Sequence, residues 1–272
     1  MAEIAYKTGA VQPIHRSAFV WMISDSMVFI GRSLKHIFKN RDQLLGLTIQ
    51  PVMFMLLFRY VFGGAIATGG ATYVNFLVAG ILIQSVAFGS LTTSLSVATD
   101  LQRGIIDRIK SLPIASGGLL MGHVTADLAR NVIQALVMIG VGLLVGFRPT
   151  ASVIDWVEIT GIVLLFTFAM SWMAAIMGLV AKTVESVQWL GFFIIFPITF
   201  ASAAFVPTQT MPAWLRVFAE NQPVTHVIEA IRALMLGMPI GEHAWISAIW
   251  CVGIIVICVP IAGWMFRKHS GR

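Results

Sequence analysis

The sequence predicts an all-α protein that crosses a membrane six times, and three observations carry that expectation. Hydrophobic residues make up 58% of the 272 and charged ones only 11%, with a mean hydropathy of +0.87. A water-soluble fold of this length cannot hide so much apolar surface, so lipid must solvate most of it. Six apolar runs are long enough, at ~20 residues each, to cross hydrocarbon: 44–62, 74–99, 119–147, 157–181, 187–206 and 244–266. Lysine and arginine gather in alternate connections, where cytoplasmic loops collect them.

Residues 1–43 form a cytoplasmic N-terminal segment. Its run "AFVWMISDSMVFIG" is too short to span and has Asp25 at its centre. Phe19, Ile23, Met27, Ile30, Leu34, Ile37 and Phe38 recur at helical spacing, with Asp25, Arg32, His36 and Lys39 on the other face. That pattern predicts an amphipathic helix lying in the membrane interface. No signal-peptide cleavage pattern precedes it, so the segment is expected in the mature protein.

The membrane domain follows, 44–266, with a short cytoplasmic tail at 267–272. Pro51 stands inside the first span and should kink it. Arg59, near that span's outer end, can snorkel outward. The second span closes on "GSLTTSLSVAT", small residues that favour close helix approach, in a dimer seam or a sliding contact. Gln50, Gln84, Gln134 and Gln188 fall inside spans. Each needs either a hydrogen bond to a neighbouring helix or a water-filled cavity. Cys251 and Cys258 share one apolar run about 10 Å apart, too far for a disulfide, and read as packing residues.

The charges orient the chain. Lys7, Arg16, Arg32, Lys35, Lys39 and Arg41 precede the first span. Arg103, Arg108, Lys110, Lys182, Arg267, Lys268 and Arg272 fall on the same side, against Arg148, Arg216 and Arg232 opposite. Both termini are therefore expected in the cytoplasm. The net charge of +6 is explained by this topology and by anionic lipid, not by nucleic acid.

Between spans two and three lies "DLQRGIIDRIKSLPIASGGLLMGH". Residues 100–110 can form a short helix with Leu101, Ile105, Ile106 and Ile109 as its apolar stripe. Asp100, Arg103, Asp107, Arg108 and Lys110 supply the charge, and Pro113 stops the helix. The stretch is either a docking element or an ordinary solvated loop. Beyond span five, Pro207, Pro212 and Pro223 divide an outer loop. Residues 224–236 there predict an amphipathic helix, with Pro223 at its first position and Gly237 past its end. His226, Glu229 and Arg232 share one face, and a Glu229–Arg232 pair is expected to be exposed and of little energetic worth.

Several functions are disfavoured. The six histidines are scattered without metal-ligand or acid–base spacing, so no catalytic or metal site is expected. Ion-coupled carriers place acidic residues at membrane depth, and Asp127 and Glu158 fall toward span ends. Nothing suggests the charge ring or carbonyl filter of a channel. No Gly-Lys pair occurs, so the chain lacks a phosphate-binding loop of its own.

Two long motifs resemble one family. "DLQRGIIDRIKSLPIASGGLLMGHVTADLARN" is similar to the loop and third span of ABC-2 type exporter permeases, most closely their daunorubicin-resistance branch. Gly104, Asp107, Arg108, Ser111, Leu112 and Pro113 fit its G-x-x-D-R-x-x-S-L-P core. Leu120, Gly122, Ala126, Asp127 and Leu128 fit the L-x-G and A-D-L elements downstream of that core. "FVPTQTMPAWLRVFAENQPVTHVIEAIRAL" resembles the family's last outer loop through Pro207, Met211, Pro212, Trp214, Leu215, Asn221, Pro223 and Thr225. Many relatives carry E-R-E-x-G-T where this chain reads Asp100, Leu101, Gln102, Arg103, Gly104 and Ile105, so roles of those carboxylates do not carry over.

The resemblance implies an exporter permease, homodimeric or paired with a related permease, beside separate ABC ATPase subunits. It implies that residues 100–113 dock into the ATPase and that ATP and Mg bind the partner, leaving this chain without a cofactor. The outer loop, with Pro207, Trp214, Pro223, Glu229 and Arg232, would form a lid over the path. The branch points to amphipathic drugs or lipid-like molecules as substrates, and Gln50, Gln84 and Gln134 are candidates to line their route. A secondary carrier or a membrane-embedded enzyme are the alternatives.

Overall fold

In the computed structural model the chain is described at residues 41–64, 66, 72–104, 118–181 and 183–268. All regular structure among these residues is helical. The predicted interfacial helix of the N-terminal segment and most of the predicted docking stretch, including Ile105, Ile106, Asp107, Arg108, Ile109, Lys110 and Pro113, lie outside the described residues.

Helix α1, Arg41–Leu57, carries Pro51 inside it and runs into a π-helical segment, Phe58–Phe62. Helices α2 (Tyr73–Gly89) and α3 (Leu91–Gln102) form one long apolar rod with a break at Ser90. Then come α4 (Gly118–Val145), α5 (Val153–Val180) and α6 (Val184–Phe200). Short helices α7 (Ala213–Asn221) and α8 (Pro223–Met235) precede α9 (His243–Lys268). The rod α2–α3 with α4, α5 and α9 are long and apolar enough to cross a membrane. Ile49–Phe62 and Val184–Phe200 are shorter apolar helices.

Local chemistry explains the boundaries. At the start of α5, the Ser152 hydroxyl accepts from Asp155 N–H while the Asp155 carboxylate accepts from Ser152 N–H, a reciprocal cap. Thr183 caps α6 by accepting from Ser186 N–H. Pro223 opens α8 at a position where a missing N–H costs nothing, and Gly237 past its end has φ +60°.

The rod α2–α3 and helix α5 form the buried centre, flanked by α4 and α9, whose outer faces stay open. Exposed Leu136, Leu144, Trp245, Trp250 and Trp264 lie on those flanks, apolar surface suited to lipid. The main core gathers Leu77, Ile81, Phe166, Val227 and Ile231 between α2, α5 and α8. A second core, with Val97, Leu120, Trp172, Leu179 and Phe266, sits at the end that carries Gly104. The buried face of α3 reaches α5 because Gly178 has no side chain: a Cβ there would collide with the Ser94 carbonyl. The small-residue run therefore serves contacts within the chain.

Two expectations need correction. The helix expected to run on from Asp100 is interrupted within the described residues, because α3 ends at Gln102 and Gly104 takes φ +64°. The Gly104 N–H bonds the Leu101 carbonyl and Arg103 N–H bonds Thr99, so glycine in the left-handed region terminates the helix. Residues 201–206 are not the end of a span, because α6 stops at Phe200 and a compact turn follows. Gln222 donates to the Ala201 carbonyl and Arg232 to the Ala203 carbonyl, satisfying backbone groups that a helix would otherwise need.

Candidate membrane-depth pocket and docking edge

Gln84 stands eleven residues into α2 and Gln134 eleven residues before the end of α4. At 1.5 Å per residue both lie roughly 16 Å from their helix ends, near the middle of a ~30 Å hydrocarbon layer. With Gln50 and Pro51 of α1 they line a half-open pocket of about 110 Å³. Ser85, Phe54, Phe88 and Leu91 complete its wall. The structure thus brings together Gln50, Gln84 and Gln134, while Gln188 lies exposed on α6. The Gln84 side chain is 4% exposed, and its Nε2 has no hydrogen-bond partner among the described residues. Gly89 makes the wall possible: a Cβ there would stand 2.6 Å from Asn131 Oδ1 and 3.2 Å from Gln134 Oε1.

Beside the pocket runs an aromatic ladder. Phe192, Phe196 and Phe200 of α6 stack at centroid distances of 4.8 and 4.1 Å. Phe205 continues the ladder at 4.9 Å, Phe58 at 4.4 Å and Phe62 at 5.2 Å. Phe54 meets Phe200 edge-on at 6.2 Å, which joins the ladder to the pocket. Sequence reasoning missed it, although phenylalanines at four-residue intervals on one helix carried the signal.

A second missed feature is the polar stripe of α4. His123, Asp127, Arg130, Asn131 and Gln134 share one inward face at helical spacing. Asp127, expected toward a span end, lies nine residues into α4 and is fully buried. Arg130 donates to it at 2.8 Å and the Ser171 hydroxyl of α5 donates to its other oxygen. The pair neutralises itself within one helix turn.

At the Gly104 end, His123 Nε2 meets Asp100 Oδ2 at 3.0 Å. This contact ties the last turn of α3 to the first turns of α4 on either side of the loop. Arg103 is exposed at the same edge.

The outer-loop candidates do not converge on one site. Pro207 precedes a 3-10 turn, Thr208–Thr210, and Trp214 on α7 is 75% exposed. Glu220 of α7 accepts from Arg216 and Thr208, fastening that turn. Glu229 and Arg232 do pair, but Arg232 is buried, which corrects the expectation of a solvated pair. Its guanidinium stacks on Phe76 with 3.6 Å to the ring centroid and donates to the Phe76 and Ala203 carbonyls. Arg232 so fixes α8, which Pro223 opens, against α2 and the 201–206 turn. Where α8 meets α9, His226 Nδ1 and His243 Nδ1 lie 3.0 Å apart.

The family model of the ABC-2 type transporter matches residues 26–236, covering the pocket, the Asp100–His123 contact and α8. The chain belongs to the ABC-2 type transporter family. A daunorubicin resistance ABC transporter permease protein, DrrB1 of Streptomyces coeruleorubidus, is 30% identical over 94% of this chain and 91% of its own length. The probable doxorubicin resistance permease DrrC of Mycobacterium tuberculosis is 27% identical over 92% of the chain and 91% of its own. The inner membrane transport permease YadH of Escherichia coli is 23% identical over 77% and 84%. This ABC-2 protein is accordingly the membrane permease subunit of an ABC exporter, and its family implies an ATPase partner.

Proposed function

We propose that this permease moves amphipathic molecules, drugs or lipids, out of the cytoplasm or inner leaflet. It works as a dimer, of identical or related chains, powered by two ATPase subunits that hold ATP and Mg. Six spans carry it, with α1 and α6 joining the four longer crossings and both termini cytoplasmic. The observation that carries the reading is the family match over residues 26–236, which takes in every described helix but α9. The pocket of Gln50, Gln84 and Gln134 at membrane depth supports a substrate route through this region. An ion-coupled carrier gains nothing from Asp127, since Arg130 already balances its charge.

Residues 100–113 form the docking element, with Ile105, Ile106 and Ile109 in the ATPase cleft. Asp107, Arg108 and Lys110 sit at its rim, held between the Asp100 and His123 anchors. Burying a large aliphatic side chain contributes about 1.5–3 kcal/mol, whereas a rim charge contributes under ~1. Ile106→Asp should therefore abolish copurification of the ATPase while the permease still inserts. Arg108→Ala should weaken the complex less, and less again at high salt. Full copurification with Ile106→Asp overturns the docking assignment.

A further inference from the structure

Resting on the reading of the pocket as part of the substrate route, we infer that it selects an uncharged, hydroxyl-bearing head group. The rest of the molecule then lies along the neighbouring phenylalanine ladder. Gln50 and Gln84 present carboxamides, a group able both to donate and to accept, Gln134 adds a third amide to the wall, and Ser85 is spent on the Leu82 carbonyl at 2.7 Å. Among the described lining residues none is charged. A cationic amine entering here would lose its water and find no carboxylate, because Asp127 is held by Arg130 and Ser171. A phosphate would find no lysine or arginine in the wall. A short uncharged chain with adjacent hydroxyls suffers neither cost, and carboxamides match it in both directions.

The pocket asks for a ligand in a way that packing alone does not explain. Gln84 Nε2 is buried at membrane depth without a partner, where an unmet donor is costly. Gly89 withholds a side chain at the spot where Asn131 and Gln134 draw close. Size sets the division of labour. A cavity of about 150 Å³ admits benzene, so about 110 Å³ holds a head group smaller than a six-membered ring and not a whole amphipath. The body must leave through the open side, and Phe54, which lines the pocket, is also in contact with the ladder at Phe200. Flat or hydrocarbon bodies stack along Phe192, Phe196 and Phe200 without hydrogen-bond demands.

The full-length permease in lipid nanodiscs, titrated with three pyrene probes, tests this. The probes share one pyrenylmethyl body and differ only in head group: glyceryl ether, trimethylammonium or phosphate. Fluorescence transfer from tryptophan to pyrene reads the Kd. The glyceryl ether should bind at least tenfold more tightly than the other two. Gln84→Leu should abolish that preference, leaving three similar affinities, and Gln50→Leu, at an exposed position with little bearing on folding, should reduce it. Phe200→Ala should weaken all three probes alike. If the ammonium or phosphate probe binds as tightly as the glyceryl ether, and Gln84→Leu weakens all three, the pocket is a route but the head-group class is wrong. If neither glutamine variant changes any probe, the pocket is not on the route. If Phe196→Ala leaves binding unchanged and shifts the permease from dimer to monomer, the ladder is an interface between copies, and the placement of the body is overturned.

Discussion

Arg130 and Arg232 are both withdrawn from water, and each is held by a different kind of partner. Arg130 faces the Asp127 carboxylate on its own helix, so removing one member strands a buried charge. Arg130→Leu should cost about 3–5 kcal/mol. The double replacement Asp127→Leu with Arg130→Leu should recover most of that loss in thermal melts of the detergent-solubilised permease; equal melts for the single and double variants would refute an ion pair. Arg232 is held instead by two carbonyls and an aromatic face. The chain could not announce this, because Phe76 and Ala203 are distant in sequence and only the fold brings them within reach. The three pocket glutamines were legible for the opposite reason: an amide inside an apolar run needs a partner wherever the run goes. His226 adds a pH prediction. Its pKa is lowered by burial first and by His243 second. A depressed pKa means the unfolded chain takes up the proton first, so its contribution is complete above the ordinary value of about 6.5 and lost as pH falls through the lower folded value. Hydrogen exchange in α8 should rise as pH drops from 7 to 5, after correction for intrinsic rates, and His226→Gln should flatten that rise.

At the scale of elements, close approach is governed by residues without side chains. Gly80 lets α2 touch the turn after α6, and a Cβ there would collide with the Ala204 carbonyl. Because that obstacle is backbone, it cannot rotate away. Gly80→Val should therefore push the turn off α2 and increase proteolysis within 201–212, while α4 and α9 stay protected; an unchanged digestion pattern would show that the turn yields without loss. Among the described residues hydropathy located every long helix, since lipid demands apolar length whatever the packing. It overran α6 into 201–206 because Ala, Phe and Val there are as apolar as a span, and side-chain bonds with Gln222, Arg232, Thr225 and Tyr73 make a turn tolerable in that place. It likewise missed the end of α3, where the periodicity treats Gly104 as one more helical position instead of a stop.

At the scale of the molecule, two ends of different character are joined by a buried centre. One end holds the Asp100–His123 tie and the Gly104 turn, and the other holds α7, α8 and the histidine pair. A single cysteine replacing Trp214 should react with impermeant maleimide in intact cells, and one replacing Lys110 should react only after permeabilisation. External labelling at Lys110 would invert or break the six-span arrangement. The Arg232 anchorage also dictates a schedule. Phe76, Ala203 and Arg232 enter the membrane at widely separated moments of synthesis, yet the knot they form needs all three. Until Arg232 emerges, the Ala203 carbonyl must borrow another partner and the Phe76 ring goes uncovered, so the seating of the 201–206 turn on α2 stays provisional through most of translation. Chains released early, between α6 and α8, would carry that unfinished state permanently. Quality-control proteases would then find a ready substrate in a protein whose hydrophobic helices were all but complete.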